Sequence, residues 1–215
     1  MQNDSTILVD KPAGITSFGV VARVRRQISQ QLGKKAKVGH TGTLDPFATG
    51  LMIIVTGIEC RNAGNFSKLD KEYEATFRLG ETSTTGDPEG EISHVSDTRP
   101  TLEQVQAALA QFVGEITQRP PIYSAIKING RRAYDLARKG EVVEMPERQV
   151  TIFSLELLDY AYPEVRIRVH VSSGTYIRTL AEDIGKVLGT GAYCSALRRT
   201  KVGEWSVEGA VAVEV

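Results

Sequence analysis

The run Leu51-Met-Ile-Ile-Val-Thr56, fenced by Gly50 and Gly57, constrains the fold of this chain more than any other stretch. It has the length of a strand and falls far short of the roughly 20 apolar residues a membrane span needs, so it reads as a strand buried in a core. Immediately before it stands Gly39-His-Thr-Gly-Thr-Leu-Asp45-Pro-Phe-Ala-Thr-Gly50, a glycine-punctuated loop that presents one carboxylate. The residue before a proline is pushed toward extended backbone, which holds Asp45 in a restricted conformation with its side chain projecting. That suits a displayed catalytic group, while Asp-Pro by itself also makes an ordinary turn.

The flanking sequence alternates between helical and strand periods. Val20, Val21, Val24, Ile28 and Leu32 recur at near-helical spacing after Ser17, the candidate N-cap, and Gly33 closes the segment. Tyr73, Ala75, Phe77 and Leu79 alternate with polar neighbours, the period of a half-buried strand, so Tyr73 shares the apolar face. Residues 81–100 are rich in Thr, Gly, Asp, Pro and Ser and predict a mobile loop excursion. Thr101 and Gln104 form a capping box for a helix that Gly114 is expected to stop, and a short helix is expected over residues 131–139. Residues 150–158 and 165–171 read as an antiparallel pair, residues 177–188 as an amphipathic helix ended by Gly189, and residues 196–201 and 204–207 as final strands. Without a repeat or low-complexity linker, strands mixed with helices argue for one α+β domain spanning residues 1–215, built on a substantial mixed sheet.

Net charge is zero, which taken alone argues against a polyanionic partner. The distribution points the other way. Between Asp10 and Asp45 there is no acid, while Lys11, Arg23, Arg25, Arg26, Lys34, Lys35 and Lys37 are basic. A second run holds Arg119, Lys127, Arg131, Arg132, Arg138 and Lys139 against Asp135. Such segregation favours phosphate contact over a plain solvated face only when other features agree. Cys60 and Cys194 form no Cys-x-x-Cys pair, and His40, His94 and His170 lack metal-ligand spacing, so no metal is expected and the thiols read as buried. Gly33-Lys34 is followed by Lys35, with Ile28 where a P-loop needs its first glycine, which argues against a nucleotidase. The N-terminus lacks a secretion signal, so the chain is expected in the cytoplasm.

The stretches Asp10-Lys-Pro-Ala-Gly-Ile-Thr-Ser17, Gly39 to Gly50, Lys71-Glu-Tyr-Glu-Ala75, Pro120-Pro-Ile-Tyr-Ser-Ala-Ile-Lys127, Gly174-Thr-Tyr-Ile-Arg-Thr-Leu180 and Leu197-Arg-Arg-Thr200 resemble, motif by motif and in order, the TruB family of tRNA pseudouridine synthases. The resemblance implies a catalytic domain with a mixed, largely antiparallel sheet flanked by helices, a central cleft, no cofactor, and action on the T-arm uridine at tRNA position 55. It implies that Asp45 is the catalytic aspartate, that Tyr73 stacks on the target base, and that Arg178 pairs with the catalytic carboxylate. Tyr176 and Leu197 match pocket positions, His40 a residue that holds the flipped loop, and Asp87 a loop near bound RNA. Lys11, Arg61 and Lys127 complete the expected substrate contacts; Arg61 stands where relatives often carry Lys. Many relatives continue into a further RNA-binding domain of PUA type, which is not expected here, and the expected state is a monomer with no obligate protein partner and no membrane contact. A synthase that works on guide-RNA particles would want that further domain. The rival from another class is a tRNA-binding folding factor with secondary catalysis.

These residue types suit the reaction. Moving the uracil bond from N1 to C5 involves no redox change and no external group, and each route open to a carboxylate, attack on the sugar, addition to the base or elimination, wants it ionised. Burial could raise an Asp pKa by up to roughly 3 to 5 units, which a guanidinium fork opposes. Flipping a base costs a few kcal/mol, of which an aromatic stack returns about 1 to 3 kcal/mol.

Overall fold

The structure, a computed structural model, describes residues 5–124, 126–128, 130–137 and 144–213. In chain order the elements are β1 (Thr6–Lys11), α1 (Ser17–Leu32), β2 (Val38–His40), β3 (Thr49–Thr56), a 3-10 turn (Gly57–Arg61), α2 (Ala63–Ser67) and β4 (Lys71–Leu79). Then come β5 (Glu81–Ser83), β6 (Ile92–His94), α3 (Leu102–Ala110), β7 (Gly114–Gln118), β8 (Lys127–Ile128), β9 (Arg131–Arg132) and α4 (Ala133–Ala137). The last are β10 (Arg148–Ala161), β11 (Glu164–Val171), α5 (Ile177–Leu188), β12 (Ala192–Val202), β13 (Trp205–Ser206) and β14 (Val211–Ala212). They fall into two compact units, Met1–Glu74 with Leu197–Val215 and Ala75–Ala196, and both β4 and β12 supply residues to each.

In the first unit the strand order is β14, β1, β3, β12, with β2 also on β3 and β13 on β12. β1 runs antiparallel to β3 and β12 runs parallel to it, so the sheet is mixed, as the α+β reading expects. Leu51 to Val55 are at most 1% exposed, which makes β3 the buried strand anticipated from its composition. Leu51 and Ile53 pack with Val202 against Leu8, Phe66, Leu69 and Trp205, while alternation turns Met52 and Ile54 to the opposite face. Fully burying one such side chain is worth roughly 1.5–3 kcal/mol, so this strand alone anchors the unit.

α1 begins one residue earlier in its capping than the sequence suggested. Thr16, not Ser17, is the N-cap, its hydroxyl accepting from the Gly19 amide at 3.0 Å, and Gly33 ends the helix in the left-handed conformation at φ 65°. Both residues have a hydroxyl able to cap, and the choice was made by a long-range demand on Ser17 described below.

In the second unit β4, β11, β10 and β7 follow one another, with β10 antiparallel to both β11 and β7. β11 buries Val165, Ile167, Val169 and Val171 on one face, and α3 packs on β10 and α5. The Thr101/Gln104 capping box is present, but α3 stops at Ala110 and Gly114 starts β7 instead of ending the helix. Residues 81–100 hold the hairpin of β5 and β6, paired Glu81 to His94, so the excursion has ordered structure. Of the short helix expected over residues 131–139, the structure shows β9 and α4, and residues 138–139 lie outside the described residues. Among the described residues no helix is long and apolar enough to cross a membrane.

Candidate active site

Asp45 lies half-buried in the loop between β2 and β3, where its carbonyl accepts from the Ala48 amide at 3.2 Å. The Asp-Pro step therefore does close a turn. The loop is tied down residue by residue. Thr41 donates its amide to the Ile53 carbonyl, and the Gly14 amide donates to Pro46 at 2.9 Å. Ser17 Oγ donates to the Leu44 carbonyl at 2.7 Å and accepts from the Leu44 amide at 2.8 Å. Arg199 donates from Nε to the Leu51 carbonyl at 2.7 Å, from Nη2 to Gly42 at 3.1 Å and from Nη1 to Thr43 at 3.5 Å.

Lys11, expected among the RNA contacts, is fully buried, and its Nζ donates to the carbonyls of Ile15, Pro12 and Pro46 at 2.7, 3.0 and 3.0 Å. A buried ammonium needs such acceptors, and the sequence context of a cationic run could not reveal that this one lysine turns inward. Its neighbour Asp10 takes a two-pronged ion pair from Arg198, at 2.7 and 3.1 Å, tying β1 to β12 across β3.

Tyr73 sits on the face of β4 that buries Lys71, Ala75, Phe77 and Leu79, as its period indicated. Leu197 is buried on β12 in the first unit, His40 is half-buried at the end of β2, and Arg61 is exposed at the end of the 3-10 turn. Lys71 is also buried, its Nζ donating to the Ser67 and Leu69 carbonyls. Burial, reinforced by the Arg199 guanidinium and opposed by Asp70, pushes its pKa down to about 8.

The second unit organises Arg178, which is buried in the first turn of α5. Nη1 donates to Asp87 Oδ2 and to the Thr85 carbonyl, both at 2.9 Å, and Nη2 donates to the Tyr123 carbonyl at 3.0 Å. Asp87, only 2% exposed, accepts at Oδ1 from Thr85 Oγ1 at 2.6 Å and from the Glu89 amide at 3.0 Å. A cation at a helix N-terminus opposes the helix dipole, and the Asp87 carboxylate offsets that cost. Gly86 carries φ 73° at the hairpin tip, a backbone angle that L side chains rarely adopt, and so favours glycine where the tip meets α5. Tyr176 is half-buried at the N-cap of α5, with Arg148 5.7 Å over its ring. Lys127 pairs with Arg132 through backbone in β8, and its side chain lies outside what is described.

The arrangement brings Asp45, Tyr73, Leu197, His40, Lys11 and Arg61 into the first unit and Arg178, Asp87, Tyr176 and Lys127 into the second. Ser17, Arg199 and Gln118 are buried polar residues whose bonds the sequence reading did not assign. The available signal was position: Arg199 stands two residues from Leu197 on a strand, on the side that ought to be apolar. Among the described residues no group of His, Cys, Asp or Glu is arranged to hold a metal ion.

Solved structures share this architecture. One chain of the crystal structure of a Cbf5-Nop10-Gar1 complex matches with TM-score 0.73 and 30% identity, covering 99% of this chain and 53% of that one. A crystal structure of a pseudouridylate synthase shares the fold at TM-score 0.52 and 15% identity, covering 100% of this chain and 70% of that one. At the level of sequence, the family model described as TruB family pseudouridylate synthase (N terminal domain) matches residues 27–177, and the model described as tRNA pseudouridylate synthase B C-terminal domain matches residues 178–214. The tRNA pseudouridine synthase B of Phocaeicola vulgatus is 50% identical over 207 residues, 95% of this chain and 88% of the relative. That of Burkholderia mallei is 47% identical over 211 residues, 98% of this chain and 68% of the relative. The chain belongs to the TruB family and is a pseudouridine synthase.

Proposed function

We propose that this enzyme isomerises the uridine at position 55 in the T-loop of tRNA, with Asp45 as the catalytic carboxylate. The observation that carries the reading is the fixing of the Asp45 loop, in which backbone groups before and after the aspartate are held by buried side chains. A group held in one geometry raises the effective concentration of the reacting atoms, and such preorganisation is worth several kcal/mol of barrier. The relatives' name, tRNA pseudouridine synthase B, supports tRNA as the substrate.

In the proposed reaction the N1–C1′ bond of the flipped uridine breaks, the uracil turns, and C5 bonds to C1′. The hydrogen on C5 leaves to solvent and N1 gains one, so atoms and electrons balance with no cofactor. Asp45 acts ionised on sugar or base, Tyr73 supplies the stacking ring, and Arg178 has the supporting role that the resemblance gives it. Tyr176, Leu197 and His40 shape the pocket for base and loop, with Arg61 and Lys127 toward phosphate, and the work is done on tRNA in the cytoplasm without an obligate partner. Lys11 and Asp87 act through the loops their bonds hold.

The test uses tRNA transcript tritiated at uridine C5. Tritium release by the wild type, lost with Asp45→Asn and with a transcript carrying cytidine at the target, is the expected result. A wild type that binds tRNA and releases nothing would replace this reading with that of a tRNA-folding factor.

A further inference from the structure

We propose that Ser17 and Arg199 are positioning residues for Asp45: together they set the backbone of residues 42–51 and so the aim of the carboxylate. The inference rests on the reading of Asp45 as the catalytic group and adds two residues to which no part in the reaction has been given.

Ser17 is the first residue of α1, and its hydroxyl takes no part in the capping, which Thr16 performs. It is buried and makes a two-way exchange with the peptide groups of Leu44, the residue immediately before Asp45. One hydroxyl thus fixes both the amide and the carbonyl of Leu44. Beyond Asp45, proline restricts the next step and the Ala48 amide closes the turn. The carboxylate is left with side-chain torsions alone.

Arg199 works from the other side. Arg199 is 2% exposed, and among the described residues its donors go to three backbone carbonyls at the two ends of the loop, Gly42 and Thr43 at the start and Leu51 at the end. A buried cation is costly, and an aliphatic side chain would fill a strand interior with less penalty. What the arginine adds is a planar fork that spans the loop and fixes the separation of its ends. The strand register reinforces this, since Arg199 pairs with Gly50, and a Cβ on Gly50 would lie 2.3 Å from the Arg199 carbonyl oxygen. The two backbones are therefore in contact at the loop's exit, where Gly50 adopts φ 103°.

Single-turnover pseudouridine formation with enzyme in excess separates aim from binding. Ser17→Ala deletes one oxygen and keeps the Thr16 cap; Arg199→Lys keeps the charge and loses the fork. Each variant is expected to lower the single-turnover rate constant on the order of 100-fold, the scale of a small misplacement of a reacting group, while the dissociation constant for tRNA stays within a few-fold of wild type. The double variant is expected to lose less than the product of the single losses, because both act on one loop. If Arg199→Lys does not fold, the Ser17→Ala rate decides. Wild-type rates in the folded variants would overturn the inference, as would losses of binding that match the losses of rate. Asp45→Asn in the same assay keeps the two readings apart: activity there removes Asp45 from the reaction altogether, whereas an inactive Asp45→Asn beside fully active Ser17 and Arg199 variants removes only the positioning role.

Discussion

Gln118 and Tyr176 hold each other through a reciprocal pair of hydrogen bonds: the Gln118 side-chain amide donates to the Tyr176 carbonyl at 3.1 Å, and the Tyr176 amide donates to Gln118 Oε1 at 2.9 Å. Tyr176 stands at the N-cap of α5 with no side-chain capping bond, and a fully buried glutamine from the end of β7 fixes its peptide groups from a distance. Gln118→Met, close in volume but without these groups, is expected to destabilise the protein by about 1–3 kcal/mol, since the Tyr176 amide loses its partner while the carbonyl keeps the Leu180 amide. Urea unfolding checks this. An unchanged midpoint would mean that water satisfies the helix start.

The Arg178–Asp87 pair predicts an asymmetry between two substitutions. Asp87→Ala removes a buried carboxylate from the Arg178 guanidinium and is expected to cost roughly 3–5 kcal/mol. Asp87→Asn keeps an acceptor for Thr85 and Glu89 and should cost distinctly less. Equal losses in denaturant titrations would show that the charge is not what the hairpin tip needs.

Lys71 predicts a stability that changes on the alkaline side. Its pKa in the folded protein, about 8, lies below the ordinary 10.5, so the fold disfavours the protonated form. The burden is full below about pH 8 and is relieved as pH rises from about 8 toward 10.5, where the unfolded chain still binds the proton that the folded chain has released. Relative to Lys71→Met, the wild type is expected to gain stability between neutral pH and pH 10.5, read from unfolding midpoints at both ends of that window. Parallel curves for the two proteins would contradict the assignment.

Gly50 predicts a substitution the fold will not accept. A methyl at this position would meet the Arg199 backbone at 2.3 Å while demanding a backbone angle that L-residues rarely adopt. Gly50→Ala is expected to lower the melting temperature sharply, whereas Gly33→Ala, with nothing within 4 Å, suffers only the conformational penalty. Similar melting temperatures for the two would remove the close approach of β12 to the loop.

Local pattern carried the elements whose stability is local. The alternation of Tyr73 to Leu79, the apolar face of β11, the left-handed glycines after α1 and α5 and the Thr101/Gln104 box are each written within a few neighbouring residues. Where the structure departs, a distant partner decided. Ser17 answers to Leu44 and so yields the cap to Thr16. The 81–100 segment looks like loop by composition, yet a buried ion pair to α5 orders its tip. β10 loses its alternation at Phe153, where the register to β11 shifts. The same holds for the candidate site: Asp45 stands out in the sequence because glycines and a proline surround it, while Ser17, Gln118 and Arg199 are polar residues whose partners lie far along the chain, where no window of neighbouring residues reaches.

The placement of Arg199 on β12 also has a consequence in time. During synthesis the aspartate leaves the ribosome more than a hundred residues before the arginine that bridges its loop. Until β12 lies beside β3, the Gly42, Thr43 and Leu51 carbonyls have no guanidinium, and closing so long a span is an entropic burden that the nascent chain meets late. The loop is therefore shaped only after Arg199 has emerged, and a chain stalled before that point would carry Asp45 on a loop whose two ends are not yet bridged.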